Sequence, residues 1–377
     1  MQLSIIIVSY NVMHYLELCL DSVQDAIAFT DAEIIVVDNA SIDGSVQMVK
    51  DKFPAVKIIA NKKNAGFSSA NNQGVALAKG THICILNPDT VVPSSVFETL
   101  LKITTQEQYT GAQGVRLVNG RGAYLPESKR NVPTLRVALS KMMGYGSSYY
   151  ATHIASDARG EVAILVGAFM FMSRNLYEEV GGFDERYFMF GEDIDLSYTI
   201  TKAGYSNHYI GDETMLHFKG ESTVRDEHYR KCFYGAMQLF YEKHFNDNVF
   251  KGFLVNTGVN LAKFKAAFYK RYLQSHLVDG ESSVKEYVLL TDNTFLSDAF
   301  AKAVTKPVTV IDDMCVPKEG QELVFDAAYV AYSDIIKEII TYRGSGATYK
   351  IIPKNGTFAI GSNSSLGKGD VIEFNRD

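Results

Sequence analysis

The 377-residue chain has no tryptophan, four cysteines, eight prolines and no unbroken apolar run of the length a bilayer span requires. Cys19, Cys84, Cys232 and Cys315 are scattered. They offer neither a disulfide framework nor paired zinc-ligand spacing, so a reduced, cytoplasmic compartment is expected. No basic segment precedes the apolar opening Leu3 to Val8, which reads as a strand and not as a signal peptide. Positive charge is not in excess: the formal net charge is -6, which excludes the basic stripe of a nucleic-acid surface. A Gly-x-Gly-x-x-Gly fingerprint is missing after the first strand, where Ser9-Tyr10-Asn11-Val12 stands instead, so a dinucleotide is not expected there. With 12% aromatic and 21% charged residues the composition is ordinary and globular, and the length allows a large core and more than one domain.

What is present is alternation. Leu3 to Ser9 is a β-branched run, and Leu16, Leu20, Val23 and Ile27 then recur at helical spacing. Glu33 to Asp38 and Val56 to Ala60 read as strands, separated by turn chemistry at Asn39 to Ser45, a short helix and Pro54. Phe67 to Lys79 reads as a helix stopped by Gly80, with Asn71, Asn72 and Gly74 near its start, where amides and free N–H groups can meet an anion or a sugar edge. His82 to Leu86 is a short buried strand, Pro93 to Ile103 a helix and Gly114 to Val118 a strand. The pattern predicts an α/β fold with a mixed, mostly parallel sheet and helices on both faces. Roughly forty residues after Val118 lack periodicity, as a functional loop or lid does. Glu161 to Ser173 returns to strand character around Gly167, with Ser173 as an N-cap. Glu192-Asp193-Ile194-Asp195-Leu196 then opens a helix running to Gly204.

Two strands end on carboxylates, Asp38 and Asp89, at the edge where open α/β sheets bind ligands. A core needs neither. Asp89 is a candidate ligand for a divalent cation, although Asn87-Pro88-Asp89 is equally good turn chemistry. The acids at 192, 193 and 195 suit the positive end of a helix dipole, which also keeps a carboxylate ionised, as a general base requires.

Taken together, Val36-Val37-Asp38-Asn39-Ala40-Ser41, Asn64-Ala65-Gly66-Phe67, Leu86-Asn87-Pro88-Asp89, Gly181-Gly182-Phe183-Asp184 and Gly191-Glu192-Asp193-Ile194-Asp195-Leu196 resemble the family 2 glycosyltransferases in order and interval over residues 1 to about 222. The set looks like the bacterial rhamnosyltransferase-type members, which build surface polysaccharide. The resemblance implies a GT-A, Rossmann-like fold and inverting transfer from a nucleotide-diphosphate sugar. Asp38 then matches the carboxylate that accepts from a pyrimidine ring, Ser9, Tyr10 and Asn11 the first loop around the nucleotide, and Asn64, Gly66 and Asn71 the segment that closes on base and ribose. Asp89 matches the last acid of the metal motif, whose first acid is here Asn87. His217, in a segment like the family's closing His segment, is the second candidate ligand, and Mn2+ or Mg2+ is the expected cofactor. Outside this context a lone histidine is more often a packed or surface residue. Lys219 and Arg225 are candidates for the diphosphate, and surface solvation explains them equally well. Asp193 is the expected general base, Glu192 and Asp195 the groups that orient sugar or acceptor, and Gly167 with Ala168 the close approach to the acceptor. The missing tryptophan excludes the Gln-x-x-Arg-Trp segment of processive synthases, so single-residue transfer is expected.

The expected organisation is a catalytic domain over 1–222, a helical extension over 223–278 and a small α/β accessory domain over 279–377. In the extension, Phe233, Met237, Phe240, Tyr241 and His244 share a face and suit core packing. Lys251 to Leu273 mixes Lys263, Lys265, Lys270 and Arg271 with aromatics, which suits either a peripheral contact with the inner face of the cytoplasmic membrane or a packed helix with a solvated basic face. The last domain resembles the Rossmann-like regulatory half of some bacterial sugar transferases around Ile352-Pro353-Lys354-Asn355 and Ile360-Gly361-Ser362-Asn363-Ser364. It reads as a binding or assembly module without a cofactor, and homo-oligomerisation is open. A glycan or lipid-linked acceptor is the expected partner beside the donor. Two competing readings are a sugar nucleotidyltransferase, for which the Gly-rich loop is missing, and a non-catalytic carbohydrate-binding or scaffold protein.

Overall fold

Seven consecutive buried residues, Leu3–Ser9, form β1 inside a nine-stranded sheet. The computed structural model describes residues 1–107, 109–134, 137, 148–218, 227–245, 284–361 and 369–375. β1 lies parallel to β2 (Ala32–Asp38), β3 (Lys57–Ala60) extends that run beyond β2, and β4 (His82–Leu86) is parallel to β1 on its other side. A strand buried on both faces must read as continuous apolar sequence, which is how β1, β2 and β4 read. Their register sets Ser9 opposite Asp38, so both reach the same carboxyl rim.

Past β4 the sheet turns mixed. After β5 (Thr90–Val91) and β6 (Gln113–Val118), β7 (Lys129–Arg130) and β9 (Ile164–Leu165) form a separate two-stranded antiparallel ribbon, while β8 (Arg159–Glu161) pairs with β11 (His208–His217). β10 (Phe169–Ser173) is antiparallel to both β4 and β6, β11 is parallel to β6, and β5 folds back antiparallel onto the end of β11. The result is the expected α/β fold with a mixed, mostly parallel sheet. β11 itself was not legible in the sequence. It carries a bulge between Ile210 and Thr214 and two exposed or half-exposed acids, which erase its alternation. The expected strand 161–173 is three pieces, because Gly167 lies in the turn between β9 and β10.

The helices are α1 (Met13–Ala26), α2 (Ser45–Lys52), α3 (Phe67–Ala76), α4 (Val96–Glu107), α5 (Arg174–Glu179), α6 (Glu192–Lys202), α7 (Glu227–His244), α8 (Thr294–Ala303) and α9 (Tyr332–Thr341). Ser173 caps α5, accepting from Leu176 N–H at 3.0 Å. α3 stops earlier than its sequence suggests: the N–H groups of Lys79 and Gly80 bond to Glu33 and Ser4 instead of continuing the helix. Gly74 also departs from expectation, since a Cβ there would lie 2.5 Å from Ile6 Cγ2; it permits close helix-on-sheet packing and faces no ligand.

The second sheet has the order β13 (Val308–Ile311), β12 (Glu286–Leu290), β14 (Gln321–Asp326), β15 (Thr348–Ile352), β16 (Phe358–Ile360), β17 (Val371–Glu373), with the first four strands parallel and the last two antiparallel. It shares a core with the first sheet across α1. Leu16, Cys19, Leu20 and Val23 face the large sheet, whereas Tyr15 and Leu18 pack with Tyr332, Ile335 and Phe358. Asp21 on the same helix accepts from Tyr332 Oη and from Lys354 N–H, each at 2.6 Å. The segments 251–273 and 279–283 lie outside the described residues. Among the described residues, no helix is long and apolar enough to cross a membrane.

Candidate active site

The site follows the carboxyl rim of the large sheet. At one end, Asp38 is buried; its Oδ2 accepts from Ser41 N–H at 2.9 Å, and its Oδ1 has no hydrogen-bond partner among the described residues. Ser9 Oγ is buried without a partner in the same way. A buried carboxylate oxygen left unpaired costs several kcal/mol, so it is the kind of group a ligand donor completes. The loop beside it is tied down. Asn11, at φ +54°, donates its N–H to Ser41 Oγ and accepts from Ile42 N–H at 2.8 Å. Asn39 Nδ2 donates to Gly66 O at 3.1 Å, and Asn64 accepts from Gly66 N–H at 2.9 Å. Gly66 (φ +86°) cannot carry a side chain, because a Cβ would lie 2.6 Å from Phe188 O. Tyr10 is exposed at the mouth. Asn71 is placed differently from expectation: it is fully buried and its Nδ2 bonds back to Phe67 O at 2.9 Å, leaving only its Oδ1 unpartnered among the described residues. Asn72 is spent on structure, holding Phe183 O and Tyr177 Oη.

In the middle, the pairing of β5 with β11 sets Thr90 opposite His217 and thereby brings Asp89 against His217. His217 Nε2 lies 3.4 Å from Asp89 Oδ1, both side chains are buried, and His217 Nδ1 has no partner among the described residues. The main chain is fixed by Phe218 N–H donating to Asp89 O at 3.0 Å. One imidazole and one carboxylate fit a borderline divalent cation that takes its remaining ligands from diphosphate and water. Among the described residues, no group of three or more His, Cys, Asp or Glu could hold a metal by itself. Asn87 serves the backbone, its N–H donating to Ala168 O at 3.0 Å. Lys219 and Arg225 lie outside the described residues.

At the other end, α6 presents its three acids in three different ways. Asp193 Oδ2 accepts from Arg130 Nη2 at 2.6 Å and from Gly167 N–H at 3.0 Å, and its Oδ1 accepts from Ile194 N–H. Gly167 is packed tightly against the acid: a Cβ there would lie 3.2 Å from Asp193 Cβ, so a side chain would have to push Asp193 by a few tenths of an ångström. Ala168 is buried beside it. Glu192 is buried with Oε2 unpartnered among the described residues, and burial, reinforced by the charge of Asp193, pushes its carboxyl up to about 8. Asp195 faces away from this group: Lys243 Nζ, His244 Nε2 (each 2.7 Å) and Tyr187 Oη (3.3 Å) surround it. It anchors the end of α7, so the sugar-orienting part expected of it has no free oxygen to act through.

Residues 4–181 match the family model described as glycosyl transferase family 2. The match is to that family and takes in just under half of the chain. This glycosyltransferase is 26% identical over 242 residues to the N-acetylglucosaminyl-diphospho-decaprenol L-rhamnosyltransferase of Mycobacterium tuberculosis, a match covering 59% of this chain and 78% of that one. It is 28% identical over 162 residues to the rhamnosyltransferase WbbL of Escherichia coli, covering 41% of this chain and 61% of that one. Among solved structures, a mannosyltransferase from Pyrobaculum calidifontis in complex with GDP-Man and Mn2+ superposes with a TM-score of 0.46 at 21% identity, covering 73% of this chain and 75% of that one. The glycosyltransferase thus brings together Ser9, Asp38 and Gly66, then Asp89 and His217, then Glu192, Asp193 and Gly167. Arg130 was not singled out in the sequence. It lies in the aperiodic stretch, and only its pairing opposite Ile164 in the ribbon shows where it points. His244 was read in the sequence only as part of a packed helix face, Lys243 was not singled out, and neither was seen as a partner of Asp195.

Proposed function

We propose that this glycosyltransferase moves one sugar, with inversion, from a nucleotide-diphosphate sugar to a hydroxyl of a glycan or lipid-linked acceptor in bacterial surface polysaccharide synthesis. Deoxythymidine-diphosphate rhamnose is the favoured donor, since two similar proteins are named as rhamnosyltransferases, and uridine-diphosphate sugars come next. The observation that carries the reading is the pair of buried carboxylate oxygens, Asp38 Oδ1 and Asp89 Oδ1, that accept no hydrogen bond among the described residues and lie at or just past the carboxyl ends of parallel strands, the second beside His217. Asp38 accepts from the pyrimidine N–H, with Ser9 and the Asn11–Asn39–Gly66 lattice around base and ribose. Asp89 and His217 would hold Mn2+ or Mg2+, which would supply positive charge to the departing diphosphate.

Asp193 is the general base. As the acceptor oxygen forms its bond to the anomeric carbon, its proton passes to Asp193 Oδ1; the bond from that carbon to the diphosphate breaks, and its electron pair leaves with the nucleoside diphosphate. Glu192, uncharged at neutral pH, donates a hydrogen bond to a sugar or acceptor oxygen. In this reading 1–222 is the catalytic domain and 279–377 an accessory domain braced on α1, while 246–283 lies outside the described residues. A thermal-shift panel of nucleoside diphosphates and their sugars, with and without Mn2+ or Mg2+, tests it: saturation at a hundred times Kd contributes about 2.7 kcal/mol. A metal-enhanced shift with one pyrimidine diphosphate is expected, and no shift with any nucleotide would overturn the donor assignment.

A further inference from the structure

Two buried carboxyl groups at adjacent positions cannot both ionise cheaply, and unequal surroundings decide which one does. Here the surroundings are sharply unequal. Asp193 shares one oxygen between the Arg130 guanidinium at 2.6 Å and the Gly167 N–H at 3.0 Å, whereas Glu192 Oε2 is buried and unpartnered among the described residues. Arg130 is itself buried and held in place: Nη2 also donates to Leu165 O at 2.7 Å, and the β7–β9 ribbon fixes its backbone. The remaining ionisable groups around the pair do not substitute for it. Tyr149 bonds Arg130, and Asp195 one half-turn along α6 is occupied by Lys243, His244 and Tyr187.

We infer that Arg130 is the positioning residue that makes Asp193, and not its neighbour Glu192, the ionised member of the pair, and that by holding Oδ2 it turns Oδ1 toward the acceptor. This inference rests on the reading of Asp193 as the base. It assigns a task to the two-stranded ribbon of β7 and β9, and it accounts for an arginine buried beside the proposed base. A buried pair of this kind is a poor means of raising stability compared with apolar packing, so stability alone does not account for it.

Arg130→Met and Arg130→Lys in the full-length chain test it by three readouts. Binding of deoxythymidine or uridine diphosphate stays within twofold of wild type in both variants. The acid limb of the kcat/KM pH profile moves up by about one to three pH units in Arg130→Met, the effect of losing an opposite charge at this distance, and returns toward wild type in Arg130→Lys. Independently of transfer, the urea midpoint of Arg130→Met recovers toward wild type as the pH falls from 7 to 5, and adding Asp193→Asn to it abolishes that recovery. An acid limb unmoved in Arg130→Met with only a lower plateau, or additive stability losses in the double variant, would overturn the inference. A wild-type protein that binds the nucleotide but transfers no sugar at any pH would overturn the base assignment, and the positioning role with it.

Discussion

Asparagine at position 38 puts the donor-binding account under the sharpest strain. The Asp38→Asn side chain has the same shape, and its amide oxygen can keep the Ser41 N–H bond that Oδ2 now makes at 2.9 Å. Its amide nitrogen then falls where Oδ1 is buried and unpartnered among the described residues. A pyrimidine N–H that met a carboxylate acceptor would now meet a second donor. A hydrogen bond to a charged group contributes about 1.5–3 kcal/mol, which corresponds to roughly 10- to 150-fold in Kd. Calorimetric titration of deoxythymidine and uridine diphosphate into wild type and Asp38→Asn, at fixed metal, reads this directly. The fold should survive, because the substitution removes a buried, half-satisfied charge and adds no volume. Binding of both nucleotides within twofold of wild type in a folded Asp38→Asn protein would refute the role given to Asp38.

Other perturbations separate the remaining parts of the rim. His217→Ala and Asp89→Asn should each abolish the extra thermal shift that Mn2+ adds to nucleotide binding while leaving part of the metal-free shift, which a metal-by-nucleotide matrix of melting curves measures. Glu192→Gln should keep activity at neutral pH and remove the alkaline loss expected of the wild type as that raised carboxyl ionises, as read from kcat/KM profiles; Glu192→Ala should be impaired throughout. The stability sign follows from the same carboxyl: its folded value near 8 lies above the unfolded value, so the folded state binds the extra proton and wild-type stability declines as pH rises through that window. Urea unfolding at pH 5 and pH 8 should show that decline flattened in Glu192→Gln. Tyr332→Phe leaves Asp21 with the Lys354 N–H as its remaining bond of the two seen here and should lower stability by about 1–3 kcal/mol, seen as a lower melting temperature with nucleotide affinity unchanged.

Residues that announce themselves by local chemistry were legible in the sequence. β1, β2 and β4 are continuous apolar runs that stop on polar residues, so Asp38 and Asp89 could be placed at a ligand-binding rim before any coordinates. Gly66 and Gly167 stood within short motifs, and the structure supplies the physical reason for each: a carbonyl 2.6 Å and an aspartate Cβ 3.2 Å from where their Cβ would be. What was illegible depends on pairing across long sequence separations. Arg130 meets Asp193 only because a two-residue ribbon forms 34 residues apart, between Arg130 and Ile164. Asp195 looks identical in kind to Asp193 along the chain, yet the helix 48 and 49 residues later covers it with Lys243 and His244. β11 escaped notice because its bulge and its acids break the period that marks a strand. Composition and spacing record what a residue is; they do not record which distant partner claims it.

The most direct test of the central claim is a transfer assay with purified full-length protein, Mn2+ or Mg2+, a polyprenyl-diphosphate-linked amino-sugar acceptor, and deoxythymidine-diphosphate rhamnose or a uridine-diphosphate sugar, with glycolipid product followed by mass spectrometry beside an Asp193→Asn control. The account predicts one added sugar of inverted configuration, dependent on metal, and none with Asp193→Asn despite intact nucleotide binding. Equal product formation by Asp193→Asn and wild type would contradict it.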